Sequence, residues 1–164
     1  MDCQITPMHP EDWPAVREIY AEGIATGNAT FETELPDWDK WDSAHRKDCR
    51  LSARRGEQIL GWAALSQVSV RRVYSGVAEV SVYVAAAARG SGMGKALLKA
   101  LIEESERHGI WTLQAGIFPE NLASVALHKS CGFREVGVRR RISKLGDTWR
   151  DVLLLERRSS IVDV

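Results

Sequence analysis

The chain has 164 residues, 45% of them hydrophobic and 27% charged, with 22 basic residues balanced by 22 acidic ones. This length and balance describe one soluble domain, residues 1–164, with a sizeable core; they exclude a disordered chain, a globally basic nucleic-acid binder, and a membrane-spanning protein, which needs about 20 consecutive apolar residues. The neutral sum hides an asymmetry: residues 1–48 hold 11 acids and 4 bases, residues 49–164 hold 11 acids and 18 bases, and the second stretch is free to meet a compact anionic ligand.

In chain order, Cys3–Thr6 reads as a short strand, and His9-Pro10-Glu11-Asp12 opens a helix carrying Trp13, Val16, Ile19 and Tyr20 on its apolar positions. The stretch Gly23–Pro36, rich in Gly, Thr and Asn, is a loop. Asp37 begins a second helix with Trp38 and Trp41 on one side, ending near Asp48. Cys49–Arg54 and Gln58–Val68 flank Arg55-Gly56-Glu57 as a hairpin, and Val77–Val84 (VAEVSVYV) alternates as a strand. Gly92–His108 carries the stripe Leu97, Leu98, Leu101 and Ile102 and stops at Gly109, a helix. Thr112–Ile117 is a strand, Asn121–Cys131 a helix ended by Gly132, and Glu135–Ser143 with Trp149–Glu156 the last pair of strands. The predicted order, β-α-α-β-β-β-α-β-α-β-β, is that of an α/β domain with a mixed sheet covered by helices on both faces.

The N-terminus has no basic segment followed by an apolar one, so no secretory signal is expected. Cys3, Cys49 and Cys131 have no CxxC spacing and read as free thiols in a reducing compartment, the cytoplasm. His9, His45, His108 and His128 share no ligand spacing, and no metal is expected.

Arg89-Gly90-Ser91-Gly92-Met93-Gly94-Lys95 joins the VAEVSVYV strand to the Leu-rich helix. Alternate glycines let the backbone turn tightly and converge its N–H groups at a helix N-terminus, while Arg89 and Lys95 add positive charge, an arrangement suited to a pyrophosphate. A Walker A loop is excluded because position 89 is Arg and Ala96 follows the Lys; a GxGxxG dinucleotide fingerprint is excluded because Lys95 occupies its third Gly. A glycine-rich connector with no ligand is the competing reading at this point. Glu79, on one strand face with Ser81 and Tyr83, is a candidate general base, with a structural ion pair as the alternative.

RGSGMG resembles the acyl-coenzyme-A loop of the GNAT superfamily of N-acetyltransferases, and Glu120–Ser124 with His128–Phe133 resembles its second coenzyme-binding helix. Ala29–Glu34, Arg71–Tyr74, Ala78–Val84 and Thr148–Val152 are similar to stretches of the phosphinothricin and methionine sulfoximine N-acetyltransferases within it. The resemblance covers nearly the whole chain. It implies the GNAT fold and an acetyl-CoA-dependent transfer of acetyl to the amino group of a small amino acid or analogue, such as methionine sulfoximine, methionine sulfone or phosphinothricin. It further implies Glu79 as general base, and Val82, Tyr83 and Val84 as the strand whose backbone pairs the pantetheine arm, with the Val82 N–H stabilising the oxyanion. Arg89, Gly90, Ser91, Gly92, Met93, Gly94 and Lys95 would hold the diphosphate, and Asn121 and Ser124 would contact the pantetheine or the diphosphate. Phe31, Glu32, Arg71 and Arg72 would meet the substrate, the arginines at its acidic groups. A homodimer is implied, with no nucleic-acid or membrane partner.

Two positions depart from the pattern. His128 stands where many GNAT enzymes have a Tyr as general acid, so the acid is unassigned, and Leu145 stands where some phosphinothricin enzymes have His. Cys131, at a helix C-terminus, is poorly placed to be a nucleophile, which leaves direct transfer. Acetylation of a peptide or protein amine and a non-catalytic acyl-CoA sensor are the competing functions.

Overall fold

Residues 3–164 are described by a computed structural model in which helices cover both faces of one seven-stranded sheet. The elements are β1 (Gln4–Pro7), α1 (Trp13–Ala25), α2 (Trp38–Ala44), β2 (Leu51–Arg55), β3 (Gln58–Gln67), β4 (Val77–Val84), α3 (Met93–Arg107), β5 (Thr112–Ile117), α4 (Leu122–Ser130), β6 (Arg134–Leu145) and β7 (Thr148–Arg158). This is the predicted order. Local chemistry sets the helix starts: the Asp37 side chain accepts from the Lys40 N–H at 2.9 Å, and the Asn121 side chain accepts from the Ser124 N–H at 3.3 Å.

β3 divides the core. Ala63 and Leu65 point to the face where α3 brings Leu97, Leu98 and Leu101, whereas Trp62 and Ala64 point to the face covered by Val16, Ile19 and Trp41 of α1 and α2. Both sides of this strand are buried, so its sequence is a nearly continuous apolar run and not an alternation.

Several boundaries differ from expectation, among them those of α2, β1, β6 and β7. α2 stops at Ala44, short of Asp48, because His45 is extended (φ −119°, ψ 149°) and the Arg46 N–H donates to the Leu65 carbonyl at 2.8 Å, drawing the chain toward the end of β3. β1 lies one residue later than predicted, Gln4 pairing with Arg54 and Pro7 with Leu51. β6 and β7 are longer than predicted; their register shifts between Arg139 and Ser143, where Arg141 takes φ 48° and its N–H donates to Asp151 Oδ1 at 2.7 Å.

The strand order is β1-β2-β3-β4-β5-β7-β6, antiparallel throughout except for β4 and β5. That parallel pair is short: Val77 opposes Thr112, Ala78 opposes Leu113, Glu79 opposes Gln114, and pairing ends there. β4 continues on β3 as far as Val84, and β5 continues on β7 as far as Ile117. The sheet therefore parts beyond Glu79 and Gln114 into two leaves.

Candidate active site

Between the leaves lies a cleft of about 850 Å³. One side is the unpaired edge of β4. The Ala85 N–H donates to Leu60 on β3 at 2.8 Å, so the two-residue alternation of a strand turns the N–H groups of Val82 and Val84 the other way, toward the opening. These donors have no strand to meet there. An extended ligand carrying amides fits such an edge. Tyr83 contributes differently: its ring stacks on Trp62 (4.8 Å, 13°) and lies 5.0 Å from Tyr20, and burial pushes its phenol well above the usual range.

Glu79 sits where the leaves part. It is half-buried, and its Oε1 accepts from Gln114 Nε2 at 3.0 Å across the last parallel pair. Gln114 fixes the carboxylate without neutralising it. Sequence reasoning missed Gln114, although a lone amide in an otherwise apolar strand (TLQAGI) was the available signal.

The loop after β4 has the geometry of an anion cradle. Gly90 (φ 76°) and Gly92 (φ 85°) occupy left-handed conformations that L side chains rarely adopt. Gly92 caps α3, whose first backbone bond runs from the Ala96 N–H to the Gly92 carbonyl at 3.1 Å. The N–H groups of Met93, Gly94 and Lys95 therefore have no partner within the helix. Arg89, Gly90, Gly92, Met93 and Gly94 line the cleft, and Met93 does so with its side chain mostly in the core. Ser91 and Lys95 do not: the Ser91 hydroxyl donates to the Ala88 carbonyl at 2.5 Å, and Lys95 is exposed.

Asn121 and Ser124 also line the cleft, and each has structural work. Asn121 caps α4 through its oxygen, and its Nδ2 donates to the Asn28 carbonyl at 3.2 Å. His128 is buried, with Nδ1 2.7 Å from the Ser124 carbonyl, which assigns the ring proton to Nδ1; burial lowers its pKa. A neutral imidazole with its proton committed in this way is a poor acid for a departing thiolate.

Phe31 and Glu32 reach the cleft from the loop between α1 and α2. The Phe31 ring meets Phe118 edge-on (4.9 Å, 84°), and Arg150 lies over the other ring at 4.0 Å from the Phe118 centroid. Arg71 and Arg72 are not brought to the cleft: both are exposed, and Arg71 lies over Tyr74 at 5.4 Å. Apart from Arg89, the guanidinium in the lining belongs to Arg139 on β6, opposite Val152. The strand β6, exposed at every residue but Leu145, offered no periodicity by which to find it.

On the far side of the molecule, Asp48, Cys49 and His108 approach one another beside a cavity of about 340 Å³. Each is already engaged. Both Asp48 oxygens accept from Arg46 (2.7 and 2.9 Å), His108 Nδ1 is 2.9 Å from the Glu104 carbonyl, and burial pushes the Cys49 thiol up to about 12.

Residues 13–133 match the acetyltransferase (GNAT) family. The chain is 34% identical to a phosphinothricin N-acetyltransferase of Alcaligenes faecalis, over 94% of this chain and 82% of that protein. It is 26% identical to an L-methionine sulfoximine/L-methionine sulfone acetyltransferase of Pseudomonas paraeruginosa, over 95% and 94%. Among solved structures, a GNAT superfamily phosphinothricin acetyltransferase from Sinorhizobium meliloti in complex with acetyl-CoA superposes with a TM-score of 0.89 at 26% identity, covering 99% of this chain and 91% of that one. A ribosomal-protein-alanine N-acetyltransferase from Brucella melitensis superposes with a TM-score of 0.88 at 32% identity, covering 95% and 99%.

Proposed function

The chain belongs to the acetyltransferase (GNAT) family and is an acetyl-CoA-dependent N-acetyltransferase, and we propose that its acceptor is the amino group of a small amino acid or analogue of the methionine sulfoximine, methionine sulfone or phosphinothricin kind. One observation carries the reading: Glu79, held by Gln114, stands at the apex of the split sheet, beside backbone donors that face the opening.

Bound acetyl-CoA supplies an acetyl group activated as a thioester. The residues supply the rest. The N–H groups around Gly92 to Lys95 hold the diphosphate at the start of α3, with Arg89 beside them and the α3 dipole behind. Val82 and Val84 offer their N–H groups to the pantetheine amides and, at Val82, to the oxyanion that forms when the carbonyl is attacked. An α-amine is mostly ammonium at pH 7, so Glu79 accepts its proton, directly or through one water, before nitrogen can bond to carbon. The carbon–sulfur bond then breaks, sulfur leaves as the thiolate, since His128 carries no spare proton, and the second proton of the attacking nitrogen passes to that thiolate or to water. Phe31 forms an apolar wall for the acceptor side chain, and Glu32 a polar contact. An acidic group on the acceptor has Arg139 to meet in the cleft lining, whereas Arg71 and Arg72, which the family resemblance favours, lie outside it on the segment leading into β4.

Thiol release from acetyl-CoA, measured across amino acids and their sulfone, sulfoximine and phosphinate analogues, tests the acceptor class. Acceleration by at least one of them is expected; release indifferent to all of them refutes it. The 32% identity to a ribosomal-protein-alanine N-acetyltransferase favours a second reading, acetylation of a protein N-terminus, which predicts acceleration by an alanine-terminated peptide instead. A homodimer is supported by β6, an edge strand of the sheet with Val136 and Val138 exposed, and light scattering of the purified protein at twice the chain mass is the expected result. Three free thiols support a reducing compartment such as the cytoplasm.

A further inference from the structure

The loop carrying Phe31 and Glu32 makes most of its hydrogen bonds to itself. Thr26 Oγ1 donates to the Gly23 carbonyl at 2.7 Å and accepts from the Asn28 N–H at 3.1 Å, and the Glu32 N–H donates to Thr30 Oγ1 at 3.1 Å. What ties it to the second leaf of the sheet is one side chain of β7, aided by the Asn121 cap. Arg150 Nη1 donates to the Gly27 carbonyl at 2.9 Å, and Nη2 donates to Asn28 Oδ1 at 2.9 Å and to Glu120 Oε2 at 3.3 Å. The same guanidinium covers Phe118, whose ring is the surface that Phe31 meets. Its side chain is only 15% exposed.

We infer that Arg150 is a positioning residue for the acceptor site: it clasps Gly27 and Asn28 and backs Phe118, and so sets the place of Phe31 and Glu32 across the cleft from Glu79. The inference rests on the small-amine reading above for its kinetic consequence, but the clasp itself is a property of the fold. Planarity and a fork of donors are essential to the role. A lysine at 150 keeps the charge, yet it cannot reach both acceptors while lying flat on the Phe118 ring. Most of the coenzyme side, β4 and the α3 start, is not touched by Arg150, and Asn121 keeps its cap on α4 through Ser124 without it. Loss of the clasp should therefore fall on the amine.

The test uses Arg150→Ala, Arg150→Lys and the milder Asn28→Ala in the full chain. With the amino acid that the wild type acetylates best, acceptor KM should rise about tenfold or more in both Arg150 variants, because a misplaced wall weakens the hold on the acceptor, while KM for acetyl-CoA stays within about twofold. Asn28→Ala should move the same parameter by less, and its effect should not add to that of Arg150→Ala. Hydrogen exchange provides an arm independent of turnover: amides 28–33 should exchange faster in the Arg150 variants while 112–117 keep their protection. Rescue by Lys, an equal rise in both KM values, or unchanged protection of the loop overturns the inference. If no small amine is a substrate, the proposed acceptor fails, and the exchange arm still decides the clasp.

Discussion

Glu79→Gln separates the general base from everything else the carboxylate does. The substitution keeps the shape, and an amide oxygen can still accept from Gln114 Nε2, the bond now seen at 3.0 Å, so the thermal midpoint and acetyl-CoA affinity should hardly move. Catalysis should. A positioned base contributes about 10²–10⁴-fold, or about 3–5 kcal/mol of barrier. The size of the deficit should depend on pH. An α-amine titrates at about 8 or above, so at pH 7 about a tenth or less is already free base, and working on that fraction alone accounts for about tenfold of the deficit. Raising the pH supplies the deprotonated amine from solution and makes the carboxylate progressively redundant. In a thiol-release assay the ratio of wild-type to variant kcat/KM should be largest near pH 7 and narrow steadily toward pH 9.5. A variant with unchanged turnover refutes the assignment. So does a large deficit that is flat with pH, since that is the signature of lost positioning.

Other expectations can be checked with the same materials. Gly92→Ala forces a side chain into φ 85° with nothing within 4 Å of the new Cβ, so its cost is purely conformational, about 1–2 kcal/mol, and should appear as a lower thermal midpoint together with a higher KM for acetyl-CoA. Arg139→Gln and Arg71→Gln, compared on an acidic acceptor and its amidated counterpart, identify the cation that holds the acid group: the responsible variant loses about tenfold on the acid and little on the amide. His45 and His128 are both held below the usual imidazole value by burial, so the unfolded chain takes up protons first. Their contribution is complete above about pH 6.5 and is lost as the pH falls below it, by up to about 1.4 kcal/mol per histidine for each unit until the folded group protonates. Urea midpoints at pH 7.5 and 5.5 should differ accordingly, and His128→Gln should flatten the difference. The acids with lowered pKa values, Asp12, Asp42 and Asp48, affect stability only near pH 4 and below, outside this window.

Much of the fold was legible because its signals are local. The glycines at 90 and 92, the leucine stripe of α3 and the β-branched run of β4 each state their conformation within a few residues, and the same segments supplied Glu79 and the anion cradle. What could not be read depends on register between distant segments. Nothing in VAEVSVYV or TLQAGI states that their pairing ends after Glu79 and Gln114, and that single fact creates the cleft. Arg150 lies more than a hundred residues from Gly27, so its clasp has no local trace. Arg71 and Arg139 make the complementary point. The family resemblance pointed to Arg71, while the lining holds Arg139, presented beside a register shift in a strand whose nearly unbroken exposure gave the sequence no pattern to display.

The split sheet also bears on how this protein avoids sticking to itself. An unpaired strand edge invites another strand, and the edge inside the cleft is apolar in composition and long enough to accept one. Charge or proline there would compromise the backbone donors on which the proposed coenzyme site depends. Protection has to come from rigidity. β4 is committed to β3 up to Val84 and β5 to β7 up to Ile117, so closing the gap from within would bend or break one of two well-paired leaves. The pairing that holds the two leaves apart is therefore also what keeps their facing edges from zipping together.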